Sequence, residues 1–384
     1  MKQNKRLMPL TGLALFVMFA AAYVELHASG YVQVATITVP GDLSGGFDIS
    51  WVDAVSGRYY LANRGVLGVG ARVDVIDTKH LKYLGAIPVA APGNGVVAIN
   101  NPHDDLLNDP ETNGELWVGE NGSSVEVFDL RTQHLVTTIS TGGIDRADEL
   151  AYDPLDHVLL IANDRETTCV MGVCTGGAPF ITFINTEDRT VLGQIFYAQV
   201  VFVDAVTTLL TNHGLEQPVW NSKTAKFYLA IPATSDNPNG EVDEIDPAGM
   251  HITRIFPTTC RPAGLALGPR QRLFTSCGDV ITIPNGAVLT TIADVGADEI
   301  WFNPGEERVY YGGFQRITVP IVNTDNNKLV ATLSVGQINP TPPPPSQTTH
   351  SVAADGENNF IFVPVTNVGV KVYTDRRRSV DENP

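Results

Sequence analysis

Between Ser123 and Thr141 the chain reads SSVEVFDLRTQHLVTTIST: Val125, Val127 and Phe128 lead to Asp129, a polar turn covers 130–134, and Leu135, Val136 and Ile139 begin a second β-branched run. The pattern predicts a strand, a turn and a second strand. It recurs as ARVDVIDTKHLKYLGAIPV from Ala71, PFITFINTEDRTVLGQIFY from Pro179, GEVDEIDPAGMHITRIFPT from Gly240 and ITVPIVNTDNNKLVATLSV from Ile317. The residues that open these turns, Asp77, Asp129, Asn185, Asp246 and Asn323, are 52, 56, 61 and 77 positions apart. The last interval is long because it holds a compressed further copy, GDVITIPNGAVLTTIADV from Gly278.

A second pattern precedes each of these, a polar turn followed by an apolar strand. It reads WVDAVSGRYYLANR from Trp51, YDPLDHVLLIAND from Tyr152, WNSKTAKFYLAIP from Trp220, LGPRQRLFTSCG from Leu267, FNPGEERVYYGGF from Phe302 and ADGENNFIFVPVTN from Ala354. In one unit this turn is enlarged, over 101–114, ahead of GELWVGEN. With the short apolar strand before each turn, every unit holds four strands. Seven units begin near Phe47, Gly95, Asp148, Glu216, Ala263, Asp298 and His350. Half a copy at 369–375 (GVKVYTD) and its missing half at 31–39 (YVQVATITV) stand at opposite ends of the chain, so the two termini are expected to pair and close a ring. The pattern therefore predicts an all-β fold, a seven-bladed β-propeller of four-stranded blades spanning 31–375, followed by a polar tail at 376–384.

Tyr60-Leu61-Ala62-Asn63 and Leu160-Ile161-Ala162-Asn163, followed at a distance by V-x-V-I-D-T-like segments such as 73–78, make the chain resemble the YVTN-type propeller repeat proteins. Other blades depart from that motif: 117–120 reads WVGE, 228–231 reads YLAI and 362–365 reads FVPV. The resemblance implies an extracytoplasmic propeller and no single activity, since folds of this kind host binding proteins and enzymes alike.

The first 30 residues stand apart. Lys2, Lys5 and Arg6 precede an apolar run over 10–24, and small residues at 20–22 and 28–30 offer cleavage sites, the pattern of an export signal. The run is too short to favour a spanning helix, and no later run is long enough, so a periplasmic or secreted protein without a membrane span is expected. Removing 1–30 takes away three basic residues and one acidic one, so the formal charge of −17 becomes −19. Such a surface repels nucleic acid and favours cationic or neutral partners. A monomer is expected. Four cysteines in an exported chain most simply form two disulfides, here Cys169 with Cys174 and Cys260 with Cys277.

No H-E-x-x-H, G-x-S-x-G or phosphate-binding loop is present. Gly68-Val69-Gly70 reads as a turn, and the acidic loop with His103, Asp104, Asp105, Asn108, Asp109 and Glu111 lacks the spacing of an EF-hand. One constellation stands out. Stepping back five positions from the turn residues of the seven units reaches Asp48, Gly95, Asp148, Glu216, Ala263, Asp298 and His350, which should converge at one mouth of the central channel. Asp148, Glu216, Asp298 and His350 are the candidate ligands for a cation such as Ca²⁺ or Zn²⁺. Asp48, with Glu149, Gln217 and Glu299 at the next position and Arg261 near the same level, are candidate ligand-binding residues. Strand alternation would let only one of each adjacent pair face inward. Two functions follow: a binding or scaffold propeller that holds a protein or small molecule at the channel mouth and loops, or a metal-dependent hydrolase of the lactonase or esterase kind with a cation at that mouth. Propeller lactonases resemble this chain in architecture alone and are usually six-bladed.

Overall fold

Each turn-opening residue read from the sequence initiates a hairpin. Asp77 Oδ1 accepts hydrogen bonds from the backbone N–H of Lys79 (2.9 Å) and His80 (2.8 Å), and Asn185 Oδ1 does the same for Glu187 (2.8 Å) and Asp188 (3.1 Å). The inner hairpins use the same device: Asp53, Asp153, Asn221, Asn303 and Asp355 each accept the N–H two residues on. A short polar side chain that mimics a backbone turn, followed by a residue with positive φ (Gly57, His157, Ala225, Glu307 and Asn359), reverses the chain in four residues. This is why a polar punctuation recurs between apolar runs.

The structure, a computed structural model, describes residues 30–66, 70–99, 114–164, 166–170, 173–198, 214–313, 315–338 and 346–376. The segment read as an export signal up to residue 29, the acidic loop at 103–111, Gly68 and Val69, and the tail beyond Arg376 lie outside the described residues. Seven antiparallel four-stranded sheets form a seven-bladed β-propeller. Blade 1 begins with Phe47–Asp53, blade 2 with Gly93–Ile99, blade 3 with Leu150–Asp153, blade 4 with Pro218–Asn221, blade 5 with Leu265–Gly268, blade 6 with Glu299–Asn303 and blade 7 with Ala353–Ala354. These seven innermost strands touch one another in blade order, blade 7 against blade 1 included, so they enclose a central channel. Among the described residues no helix is long and apolar enough to cross a membrane.

Blade 7 closes the ring as the split repeat predicts. Its outermost strand is Tyr31–Ile37 from the N-terminus, paired antiparallel with Gly369–Asp375 in a register that runs from Tyr31 opposite Asp375 to Ile37 opposite Val370. Arg376 N adds a further hydrogen bond to Gly30 O at 2.9 Å.

The core is divided among the junctions between blades. Tyr59 and Leu61 pack toward blade 7, whereas Tyr60 and Ala62, one residue out of phase on the same strand, pack toward blade 2. Leu159 and Ile161 likewise face blade 2, and Leu160 and Ala162 face blade 4. A strand covered on both faces must be apolar on both, which explains the unbroken runs YYLA and VLLIA where a half-buried strand would alternate. Polar groups also cross the junctions: Thr78 Oγ1 of blade 1 donates to Asp355 Oδ2 of blade 7 at 2.6 Å, and Tyr31 Oη of blade 7 donates at 3.3 Å to Glu306 Oε2 of blade 6, which also accepts from Tyr310 Oη of its own blade at 2.5 Å.

Blade 5, the compressed copy, has strands of only four or five residues. The Cys260–Cys277 disulfide ties the segment entering it to the turn after its second strand, as expected from the sequence. In blade 3 an extra hairpin, Glu166–Val170 with Val173–Gly177, sits between the second and third strands, and its register sets Cys169 opposite Cys174.

If the N-terminal strand is what completes the last blade, deleting residues 31–37 leaves the outer edge of Gly369–Asp375 unpaired and removes Tyr31 and Ile37 from the clusters they help to fill. The deletion variant is expected to aggregate or to lose its cooperative melt in calorimetry. A melt like that of the intact chain would contradict the closure.

Candidate functional site

The inner strands are irregular at one shared place. In blade 1 the pairing passes from Phe47 opposite Asn63 to Ser50 opposite Leu61, so Asp48 and Ile49 share Ala62; in blade 2 Asn94 and Gly95 share Gly119. Asp148 N donates to Ala162 O (2.7 Å) while Ala162 N donates to Glu149 O (2.9 Å), and Glu216 and Gln217 face Ala230 in the same way (3.0 and 3.2 Å). Each is a β-bulge, two residues against one, which suspends the alternation of side chains and re-aims them. The expectation that one member of each adjacent pair faces inward therefore fails here. Asp148 and Glu149 both bring buried carboxyls to the channel, because neither lies on a regular stretch of strand.

Small residues make this possible. A Cβ on Gly119 would sit 2.8 Å from the carbonyl oxygens of Ala147 and Asp148, and one on Gly95 would sit 2.1 Å from the Asp148 carbonyl oxygen. Neighbouring inner strands pass that close. Position 95, aligned with the carboxylates of other blades, thus has no room for a side chain.

At one mouth of the channel the aligned residues gather around two arginines. Arg146 Nη2 lies 2.7 Å from both Asp148 Oδ2 and Asp164 Oδ2, and its Nη1 lies 3.6 Å from Asp48 Oδ2. The backbone holds Arg146 in place through a bridge to Asn121 and through Ala147 N, which donates to Glu120 O at 3.0 Å. Arg64, from the segment leaving the second strand of blade 1, pairs with Asp48 and donates to Asn94 Oδ1 at 3.3 Å. His350 Nε2 stands 3.0 Å from Asp48 Oδ1, and the imidazole stacks on Phe47 with centroids 4.9 Å apart. Burial works to raise Asp48, but His350 and the two guanidinia overcome it and hold the carboxyl down at about 2. Asp148 goes the other way: burial pushes it well above the usual carboxylate range, and Asp48, Asp164 and Glu216 add to what Arg146 offsets.

Below this layer the channel changes character. Glu149 and Glu299 come within hydrogen-bonding reach of each other; burial first, then the charge of Glu299, drives Glu149 well above its ordinary range, and burial with Asp298 raises Glu299. Two buried carboxyls so placed share a proton more readily than both ionise. Gln217 reaches across to blades 5 and 6: its Oε1 accepts from Leu265 N at 2.7 Å and its Nε2 donates to Ile300 O at 3.3 Å. Beyond them lies a cavity of about 450 Å³, floored by Glu149 and Gln217 and walled by the inner strands of blades 1 to 6, with Trp51, Tyr152, Trp220, Trp301 and Phe302 around it.

The structure thus brings Asp48, Asp148 and His350 together at the mouth, places Glu216 where its charge acts on Arg146 and Asp148, and sets Glu149, Gln217 and Glu299 one layer deeper with Asp298 beside Glu299. Arg261 is elsewhere: it is exposed and donates to Pro238 O at 3.3 Å, because it lies on the segment between blades 4 and 5. Arg64 and Arg146 supply the positive charge instead. Among the described residues no three His, Cys, Asp or Glu side chains are grouped as metal ligands. Arg146 stands amid Asp48, Asp148 and Asp164, and His350 is turned to Asp48.

Arg64, Arg146 and Asp164 escaped the sequence reading. Arg64 and Asp164 directly follow the two YLAN-like motifs, and Arg146 stands two residues ahead of Asp148, so position relative to the repeat was the available signal. No protein-family model matches the chain, and no curated protein is similar to it.

Two outcomes follow from these charges. Arg146→Ala leaves Asp148 and Asp164 buried without their counter-ion and is expected to destabilise the fold by about 3–5 kcal/mol in denaturant unfolding, part of which Asp148→Asn restores in the same chain. A loss under about 1 kcal/mol would show that the cluster is solvated. The second concerns pH. Glu149, Glu299 and Asp148, with pKa values raised by folding, keep protons that the unfolded chain releases, so their contribution weakens as pH rises above about 4; Asp48, lowered to about 2, acts oppositely and only below about pH 4. The protein should be more stable at pH 5 than at pH 8, and Glu149→Gln should narrow that gap. An unchanged gap in the variant would mean that Glu149 ionises normally.

Proposed function

We propose that this is an exported binding module whose ligand site is the central channel. A β-propeller is suited to binding, since it gathers side chains from every repeat around one axis. The observation that carries the proposal is the 450 Å³ cavity, stoppered at one mouth by the Arg146 and Arg64 ion pairs and edged with partly exposed aromatic rings at the other. Its size suits a small molecule, and a mostly apolar wall with a few convergent polar groups is the usual composition of such sites. Export is supported by the basic and apolar N-terminal sequence, by the resemblance to YVTN-type repeats and by the Cys260–Cys277 disulfide, which would persist in an oxidising compartment.

Val219 lines the cavity and is partly exposed, so Val219→Trp should fill it from blade 4 without opening the blade. In a thermal-shift screen of chemically diverse small molecules, compounds that raise the melting temperature of the unaltered protein are expected to lose that effect on the filled variant. Compounds that stabilise both proteins equally would move the site out of the channel, and a screen without any stabilising compound would remove the small-molecule reading.

A further inference from the structure

The chemistry of the cavity selects among ligands, and this inference rests on the channel being the binding site. Three of the four tryptophans, Trp51, Trp220 and Trp301, line it, and Trp117 alone is fully buried. Trp51 of blade 1 and Trp301 of blade 6 meet edge to face, with centroids 5.2 Å apart and planes at 81°, across the gap left by the two-residue inner strand of blade 7. Tyr152 and Phe302 complete the aromatic surface, and all five rings remain partly exposed. At the floor stands Glu149, backed by Glu299. No Lys, Arg or His is among the residues lining the cavity, and the nearest guanidinia are committed to Asp48, Asp148 and Asp164 one layer away.

From this juxtaposition we infer that the channel binds a small organic cation, a quaternary or protonated amine with an apolar body, its charge toward the Glu149–Glu299 carboxyl pair and its body against Trp51 and Trp301. The faces of indole and phenol rings carry negative potential and attract weakly hydrated cations, the more so where water is excluded. An anion would meet Glu149 with nothing to neutralise it. A wholly apolar ligand would cover a carboxyl pair and leave it without solvent or counter-ion. Gln217 does not compete for the ligand, because its amide is engaged with Leu265 and Ile300 and so fixes the floor. The chain's formal charge of −17 adds a field that draws cations toward the molecule.

Titration calorimetry with three probes of similar size tests this: benzyltrimethylammonium, benzyl alcohol and benzoate. Benzyltrimethylammonium is expected to bind at least tenfold more tightly than benzyl alcohol, and benzoate not at all. Glu149→Gln combined with Glu299→Gln, which keeps the floor's shape and removes its charge, should weaken the cation tenfold or more and leave benzyl alcohol unchanged. If that variant does not fold, Trp51→Leu serves in its place and should weaken the cation while sparing the melting profile. Equal affinity for the cation and the alcohol, or no binding of the cation at millimolar concentration, overturns the inference and leaves the channel reading to be judged on the filled variant. Cation binding that survives Val219→Trp overturns the channel reading itself.

Discussion

Every blade of this protein depends on its neighbours to cover both its faces. The second strand of a blade sends alternate side chains into two different junctions, so that Tyr59 and Tyr60, adjacent in sequence, belong to separate clusters. No blade can bury its apolar runs alone, and a row of blades would leave two faces bare. Closure of the ring is therefore a requirement of the sequence rather than an ornament of the fold. It is met by giving blade 7 its outer strand from the N-terminus, which turns the last junction into a clasp between the two ends of the chain.

Closure also creates the site. Seven inner strands drawn into a ring bring blade 2 so close to blade 3 that a Cβ at Gly95 or Gly119 would strike the backbone of residues 147 and 148. The bulges at Asp48/Ile49, Asn94/Gly95, Asp148/Glu149 and Glu216/Gln217 break the regular pleat at the same level and aim polar groups at the axis. The carboxyls so gathered are stable only with compensation. Near the mouth two arginines provide it, and deeper in, burial and the neighbouring carboxylates hold Glu149 and Glu299 well above their ordinary range. The channel is consequently graded, from ion pairs through a carboxyl pair to aromatic rings, and that gradient gives it a chemical direction.

Much of the architecture was legible. Turn-opening Asp and Asn residues at repeat spacing identified the hairpins, and the half-repeats at 31–39 and 369–375 identified the closure, because both follow from local backbone chemistry and simple counting. Alignment on the turns also gathered Asp48, Asp148 and His350, since equivalent residues in a ring converge. What stayed hidden arises between elements. Alternation could not foresee the bulges, which depend on a hydrogen-bond register with Ala62, Ala162 and Ala230. Arg64 and Arg146 lie on connecting segments, where periodicity says nothing of where a long side chain will reach. Read from the sequence alone, the convergent carboxylates suggested a metal; the positive charge that the structure shows among them comes from Arg64 and Arg146. The aromatic wall went unremarked because it does not follow one repeat position: Trp51 and Trp301 stand two residues before the turn, whereas Trp220 stands one.

The central claim is that the channel joins a carboxyl floor to an aromatic wall in order to hold an organic cation. A crystal structure of the complex with benzyltrimethylammonium tests it most directly. The account places the quaternary nitrogen between Glu149 and the rings of Trp51 and Trp301, with the ion pairs of Arg146 undisturbed. Density for the probe on an outer face of the blades, with only water between Trp51 and Glu149, would contradict it.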